Sequence, residues 1–278
     1  MKIDFPLGPG LALQISSGAD RDSQYPTARL QKGLVQIADG EDLSEEAVGF
    51  GVPILKRGLQ TIFPGEVELY LHKGESGKKV SARYKLNLEE RITRSDRSPI
   101  TSRLVYTVKN SLAAAIRQLP WTRRMLTRTS SLLRSRLDWK TTYIPSDFRT
   151  YVVLSYSMDE PNGKIQVELR GGDFLTTSIN EIILMNELGA HHFDQYSESN
   201  GIHQSGDQIG CWDPVKADEA SFIATSAHLS FSLRQVEGAK LYRGRELIEP
   251  RLAWSGFGYT VPPALKSFSY EITVKKLV

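Results

Sequence analysis

Three of the chain's five histidines fall between His191 and Glu219, together with Asp194, Glu198, Asp207, Asp213, Asp218 and Glu219. If residues 190 to 198 run as a strand, His192, Asp194, Tyr196 and Glu198 point to one side, with same-face neighbours roughly 6.6 Å apart. A carboxylate beside an imidazole fixes its tautomer and raises its basicity, so His192 and Asp194 have the types and spacing of a proton-handling pair. His203 and Asp207 follow closely enough to add ligand contacts. The alternative is a polar solvent face with His191 and Phe193 turned inward. The intervals match neither a zinc motif nor a calcium loop, so no metal is expected.

A second group is aromatic. Trp212 precedes Asp213, Tyr242-Arg243-Gly244-Arg245-Glu246 follows, and Trp254-Ser255-Gly256-Phe257-Gly258-Tyr259 comes next. Glycines between aromatics leave the backbone bare on one side, which lets a flat ligand such as a sugar ring lie against an indole or phenol. In that reading Trp254 is the stacking platform, Trp212 and Tyr259 line the site, and Arg245 and Glu246 supply charged hydrogen bonds. The same residues also suit an ordinary sandwich core, with glycines at bulges.

Other signatures are absent. Gly74-Glu75-Ser76-Gly77-Lys78-Lys79 has the wrong glycine spacing for a phosphate loop, and Gly49-Phe50-Gly51 leads into Val52-Pro53 instead of a helix. There is no HExxH, CxxC or GxSxG. No cofactor is expected.

The elements that must position these residues are strands. Val80, Ala82, Tyr84, Leu86 and Leu88 alternate with Ser81, Arg83, Lys85 and Asn87, and the pattern returns at Phe268, Tyr270, Ile272 and Val274. Further strands are expected at residues 151–158, 164–169, 179–185, 222–233 and 252–261. Asn162-Gly163 and Asn200-Gly201 suit tight hairpins because both residues tolerate positive φ. The expected fold class is mainly β, a large antiparallel β-sandwich formed by residues 1–278 as one domain.

One stretch interrupts it. Residues 91–140 hold twelve Lys and Arg against two Asp, a charge of +10, so the rest of this +3 chain carries −7. From Ser98-Pro99, the residues Leu104, Val108, Leu112, Ala115, Ile116 and Leu119 recur at steps of three and four. After Pro120, Trp121, Met125, Leu132, Leu133 and Leu137 form a second apolar stripe flanked by Arg123, Arg124 and Arg128. The spacing predicts a basic helical hairpin over about residues 99–138. Such a hairpin would dock on the acidic remainder of its own chain, contact another copy in a homo-oligomer, meet a polyanion such as an acidic polysaccharide, or lie on an anionic membrane surface through Arg123, Arg124 and Arg128. No interleaving of basic and aromatic residues suggests nucleic acid as a partner.

The start, Met1-Lys2-Ile3-Asp4-Phe5-Pro6, puts an acid and a proline where a signal peptide carries an apolar core. No segment approaches the roughly 18 apolar residues that span a bilayer. Cys211 is the single cysteine, so no intramolecular disulfide forms, and a cytoplasmic location is expected.

The many alternating strands with polar and aromatic clusters late in the chain resemble the large β-sandwiches of sugar mutarotases and polysaccharide lyases. No motif of those proteins falls on numbered residues here, so the resemblance carries over no catalytic residue. The sequence therefore suggests a sandwich that binds a small polar or glycan ligand on a concave sheet face. If the protein is an enzyme, His192 and Asp194 would carry acid-base chemistry.

Overall fold

The computed structural model describes residues 1–8, 10–18, 29–74, 77–94, 139–159, 163–170, 178–248, 252–265 and 267–277. The predicted basic hairpin, with Arg123, Arg124 and Arg128, lies outside the described residues. Among the described residues there is no α-helix, and no helix long and apolar enough to cross a membrane.

The protein is mainly β. A small sheet holds β1 (Lys2–Gly8), β2 (Leu11–Ser16), β3 (Val35–Ala38) and β4 (Glu41–Asp42) in that order. The first five strands of the large sheet are β5 (Gly49–Arg57), β6 (Gln60–Gly74), β7 (Gly77–Arg94), β8 (Trp139–Asp159) and β9 (Lys164–Arg170). They are followed by β10 (Glu181–Gly189), β11 (Gln195–Glu198), β12 (His203–Ser205), β13 (Asp213–Pro214) and β14 (Glu219–Ala224). The last four are β15 (Leu229–Arg234), β16 (Lys240–Ile248), β17 (Leu252–Val261) and β18 (Ser267–Lys276). These fourteen strands pair in the order β12-β11-β14-β15-β18-β9-β8-β7-β6-β5-β10-β17-β16-β13, and all the pairings are antiparallel.

The sheet folds over so that distant strands meet across one core. The Phe50 ring on β5 lies 5.2 Å from Phe231 on β15, and Phe257 on β17 lies 4.9 Å from Phe222 on β14. The alternation read from the sequence is what builds this core. Val80, Ala82, Tyr84 and Leu86 of β7 are buried, as are Ile165, Val167 and Leu169 of β9 and Phe268, Tyr270, Ile272 and Val274 of β18. β10 departs from strict alternation. Ile182 to Met185 are all buried because Leu30, Val48 and Trp212 cover a second apolar cluster on its outer face.

β8 pairs with β9, with Gly163 at φ +62° just before β9, and the Asn200-Gly201 turn joins the paired strands β11 and β12; Asn162 lies outside the described residues. Two boundaries differ from expectation. The run at residues 222–233 is two strands, because residues 225–228 turn, with His228 at φ +50° and its N–H donated to the Thr225 carbonyl. The run expected as a strand from 190 to 198 is a strand only over Gln195–Glu198.

A bulge sets the register at the centre of the large sheet. Met185 pairs with Val52 but Asn186 pairs with Phe50, so Gly51 is left out of the ladder. Gly51 adopts φ +78°, and a side chain there would strike the Tyr156 hydroxyl. Its orphan N–H donates to Asn186 Oδ1 at 3.1 Å, which also accepts from the Tyr270 hydroxyl at 2.9 Å. Asn186 Nδ2 in turn donates to the Leu184 carbonyl. Replacing Asn186 by Leu strands two buried donors and is expected to cost about 2–4 kcal/mol. In thermal melting that is a fall on the order of 10 °C. Tyr270→Phe, which removes one donor and leaves Gly51 paired, is expected to cost about 1 kcal/mol.

Candidate functional site

Because side chains alternate, fixing Asn186 toward the core puts Glu187 on the outer face of β10. Across the sheet Glu187 is opposite Gly256 on β17, which is opposite Gly244 on β16. The next row is Gly189, Trp254 and Glu246, and the row on the other side is Met185, Gly258 and Tyr242. The outer face is thus nearly bare of β-carbons at four positions, and large side chains fill the space. The Trp254 ring lies over Gly244, where an added methyl would come within 2.6 Å of Cη2. The Trp212 ring covers Gly258 in the same way, and the Glu45 side chain covers Gly189, with a methyl there 2.6 Å from Cδ. The bare backbone inferred from the glycines exists, but the protein's own indoles and a carboxylate occupy it.

Glu45 reaches this face from the loop before β5. Its carboxylate meets His191 Nδ1 at 2.8 Å and His192 Nε2 at 3.2 Å, with Glu41 3.8 Å from His192. Glu45 and Trp212 are two of the four non-glycine residues with positive φ among the described residues, at +47° and +58°. Such conformations persist only where surrounding contacts impose them. Here the contacts are the two histidines on Glu45 and the Tyr242 ring stacked parallel to Trp212 at 5.5 Å.

Glu187 is 6% exposed. Burial pushes its carboxyl up to about 8, the negative charge of Glu246 adds to the rise, and a hydrogen bond from the Val48 N–H opposes it. Glu246 is half-buried and accepts the Trp254 indole N–H at 3.2 Å. One face therefore carries a carboxyl held neutral at neutral pH and, two strands away, a second carboxylate oriented by an indole. Such a pairing can give and take a proton at one ligand.

The residues singled out from the sequence are distributed as follows. His192 is on this face, but its carboxylate neighbours are Glu45 and Glu41; Asp194 lies outside any strand, and its backbone carbonyl accepts the Gly206 N–H. Without a strand through residues 190–194, the shared face that would join His192 to Asp194 does not form. His191 is exposed, Phe193 is buried in the core, and Tyr196 and Glu198 also face inward. Glu198 accepts from the Tyr196 hydroxyl and the Ala217 N–H beside the buried Arg243, a structural role.

Trp212, Glu246 and Trp254 belong to the outer face, although Trp254 is only 8% exposed and Trp212 is the more open indole. Arg245, adjacent to Glu246, points to the opposite side, where it donates to the Ala190 carbonyl at 3.0 Å and ties that loop to β16. Tyr259 is in the core, five residues from Trp254 and so on the other face of β17. It packs on Phe268 and Tyr270, with its hydroxyl donated to the Arg234 carbonyl and its pKa raised by burial. His203, on terminal strand β12, and Asp207, in the 3-10 turn Gly206–Gln208, are exposed at the opposite end of the strand order from β16 and β17. Among the described residues no group of three or more His, Cys, Asp or Glu is arranged to hold a metal ion.

Sequence reading missed Glu187 and Glu45. Glu187 had a signal, an acid within the apolar run Ile182 to Leu188, since unpaired acids are rarely buried. Glu45 had none, because its role depends on a loop conformation.

No family model matches the chain, and no curated protein matches it. Solved structures do. With an α-N-acetylgalactosaminidase from Bifidobacterium bifidum, bound to Gal-NHAc-DNJ, the match has a TM-score of 0.52 at 10% identity and covers 99% of this chain and 36% of that one. An α-mannosidase from Enterococcus faecalis matches with a TM-score of 0.43 at 8% identity over 98% of this chain and 29% of that one. The chain thus spans about a third of the first solved protein's length. At such identity the first likeness is one of fold.

The raised Glu187 carboxyl has a consequence for stability. Between the ordinary value of 4.5 and about 8 the unfolded chain has lost a proton that the folded chain keeps. Stability therefore falls as pH rises through that window and levels off above it. At 1.36 kcal/mol per pKa unit the contribution is on the order of 5 kcal/mol. Glu187→Gln is expected to flatten the dependence of melting temperature on pH and to melt higher than the parent at about pH 9. A parallel pH dependence in parent and variant would contradict the assignment.

Proposed function

We propose that the protein binds a carbohydrate-like ligand on the outer face of β10, β16 and β17 and performs acid-base chemistry on it. Glu187, neutral at neutral pH, is the general acid, and Glu246 is the acceptor. The observation that carries this reading is two carboxyl groups on one sheet face, one pushed up by burial and by the charge of the other. Trp212 and Tyr242, both partly exposed and stacked on each other, supply an aromatic surface for a sugar ring. Trp254 acts through its N–H, holding Glu246. His192, beside this face, is held by Glu45, which takes the place beside the imidazole expected of Asp194.

The fold likeness agrees with this reading. The α-N-acetylgalactosaminidase acts on a sugar by name, and this chain spans 36% of its length.

The test is a thermal-shift panel of gluco-, galacto- and manno-configured monosaccharides and their N-acetylamino forms, followed by proton NMR of any sugar that raises the melting temperature. At least one sugar is expected to stabilise the protein, and Trp212→Ala or His192→Ala should diminish its effect. Glu187→Gln and Glu246→Gln should each slow conversion by roughly 10²–10⁴-fold, the usual worth of a positioned acid or base. A panel without response, or a response untouched by Trp212→Ala and His192→Ala, would sink the proposal.

A further inference from the structure

The other half of the large sheet carries a polar trough that shares no residue with the face around Glu187. Its volume is about 310 Å³, and its lining includes Lys79, Ser155, Ser157, Gln166, Glu168 and Ser269. Register aligns these residues in rows that cross the strands. Tyr70 of β6 is opposite Ser81 of β7, then Ser155 of β8, Glu168 of β9 and Ser269 of β18. The adjoining row is His72, Lys79, Ser157, Gln166 and Glu271. Short serines between longer neighbours make the surface concave.

The chemistry of the trough selects its occupant. A hydroxyl both donates and accepts, as sugar hydroxyls do, and a primary amide does the same through two atoms. His72 Nε2, Ser81 Oγ and Ser155 Oγ form a connected chain at 3.1 and 3.2 Å, which orients the hydroxyls. The charges along these rows are paired, with Lys79 and Arg170 each 3.5 Å from Glu168 and Lys164 3.1 Å from Glu271, so the trough favours an uncharged ligand over phosphate or a carboxylate. At one end of the row Tyr70 is 48% exposed, held by a hydrogen bond from its hydroxyl to Glu68, and offers a ring face. Five strands at about 4.8 Å spacing give a row roughly 19 Å long. A chain of several pyranose units fits that length. The surface lacks the apolar centre of a protein interface.

We propose that this trough is a second carbohydrate site, which takes a neutral oligosaccharide laid across β6, β7, β8, β9 and β18. Its task is to hold a polymer while the face around Glu187 acts on a single sugar.

Isothermal titration with neutral tetrasaccharides of glucose, galactose, mannose and N-acetylglucosamine, in α and β linkage, tests it. At least one is expected to bind, more tightly than its own monosaccharide and than a uronate-containing tetramer. Ser157→Arg, which fills the trough, should weaken that binding at least tenfold and Tyr70→Ala at least threefold. Ser269→Arg is a second obstruction from a neighbouring strand, should Ser157→Arg fail to fold. No binding by any neutral tetramer, or binding indifferent to both arginine variants, would overturn the proposal. The monosaccharide response of the first face should survive Ser157→Arg, so the failure of one site is distinguishable from failure of the other.

Discussion

Asn186 stands where β5 has one residue more than β10 can pair with, and its side chain accepts the N–H that the extra residue, Gly51, would otherwise bury unpaired. Side chains in a strand alternate with period two, so a slip of one residue would turn Asn186 outward and bring Glu187 into a core of aromatic rings. The bonds from Gly51 and Tyr270 to Asn186 exclude that slip, because breaking them strands two donors away from water. Tyr156 and Tyr84 extend the same buried network, with Tyr156 donating to the Phe50 carbonyl at the bulge and meeting the Tyr84 hydroxyl at 3.0 Å. The position of the acid follows from the position of an amide one residue away.

The glycines complete the arrangement. Side chains at Gly244, Gly256 and Gly258 would collide with Trp254, with the β10 backbone and with Trp212. Their absence lets two indoles lie close to the sheet and exclude water from the neighbourhood of Glu187. In that environment the neighbouring charge of Glu246 acts with little screening, and Glu187 keeps its proton. The folded chain loses stability for this as pH rises from about 4.5 to about 8.

Much of the fold was legible because the strands of one layer obey strict alternation; β7, β9 and β18 each show it in sequence and in burial. β10 was also legible, as an almost continuous apolar run buried on both faces. β16 was not, because Arg243, Gly244 and Arg245 interrupt its alternation. The Trp212, Glu246 and Trp254 part of the candidate site was legible from glycines between aromatics. Glu45 was not, because it belongs to a loop 146 residues before His191 in sequence. The pairing of His192 with Asp194 rested on a strand extending through residue 194, and the turn at residues 190–192 ended that geometry. Tyr259 and Arg245 were misjudged for one reason: neighbours in sequence along a strand face opposite ways.

The ionisation of Glu187 is the property on which the functional account depends. Carbon-13 NMR of the protein with labelled glutamate carboxyls, assigned by loss of one signal in the Glu187→Gln variant, reads it directly. The account predicts a titration midpoint of about 8 that falls when Glu246 is replaced by Gln and its charge removed. A midpoint in the ordinary carboxylate range, indifferent to Glu246, would contradict it.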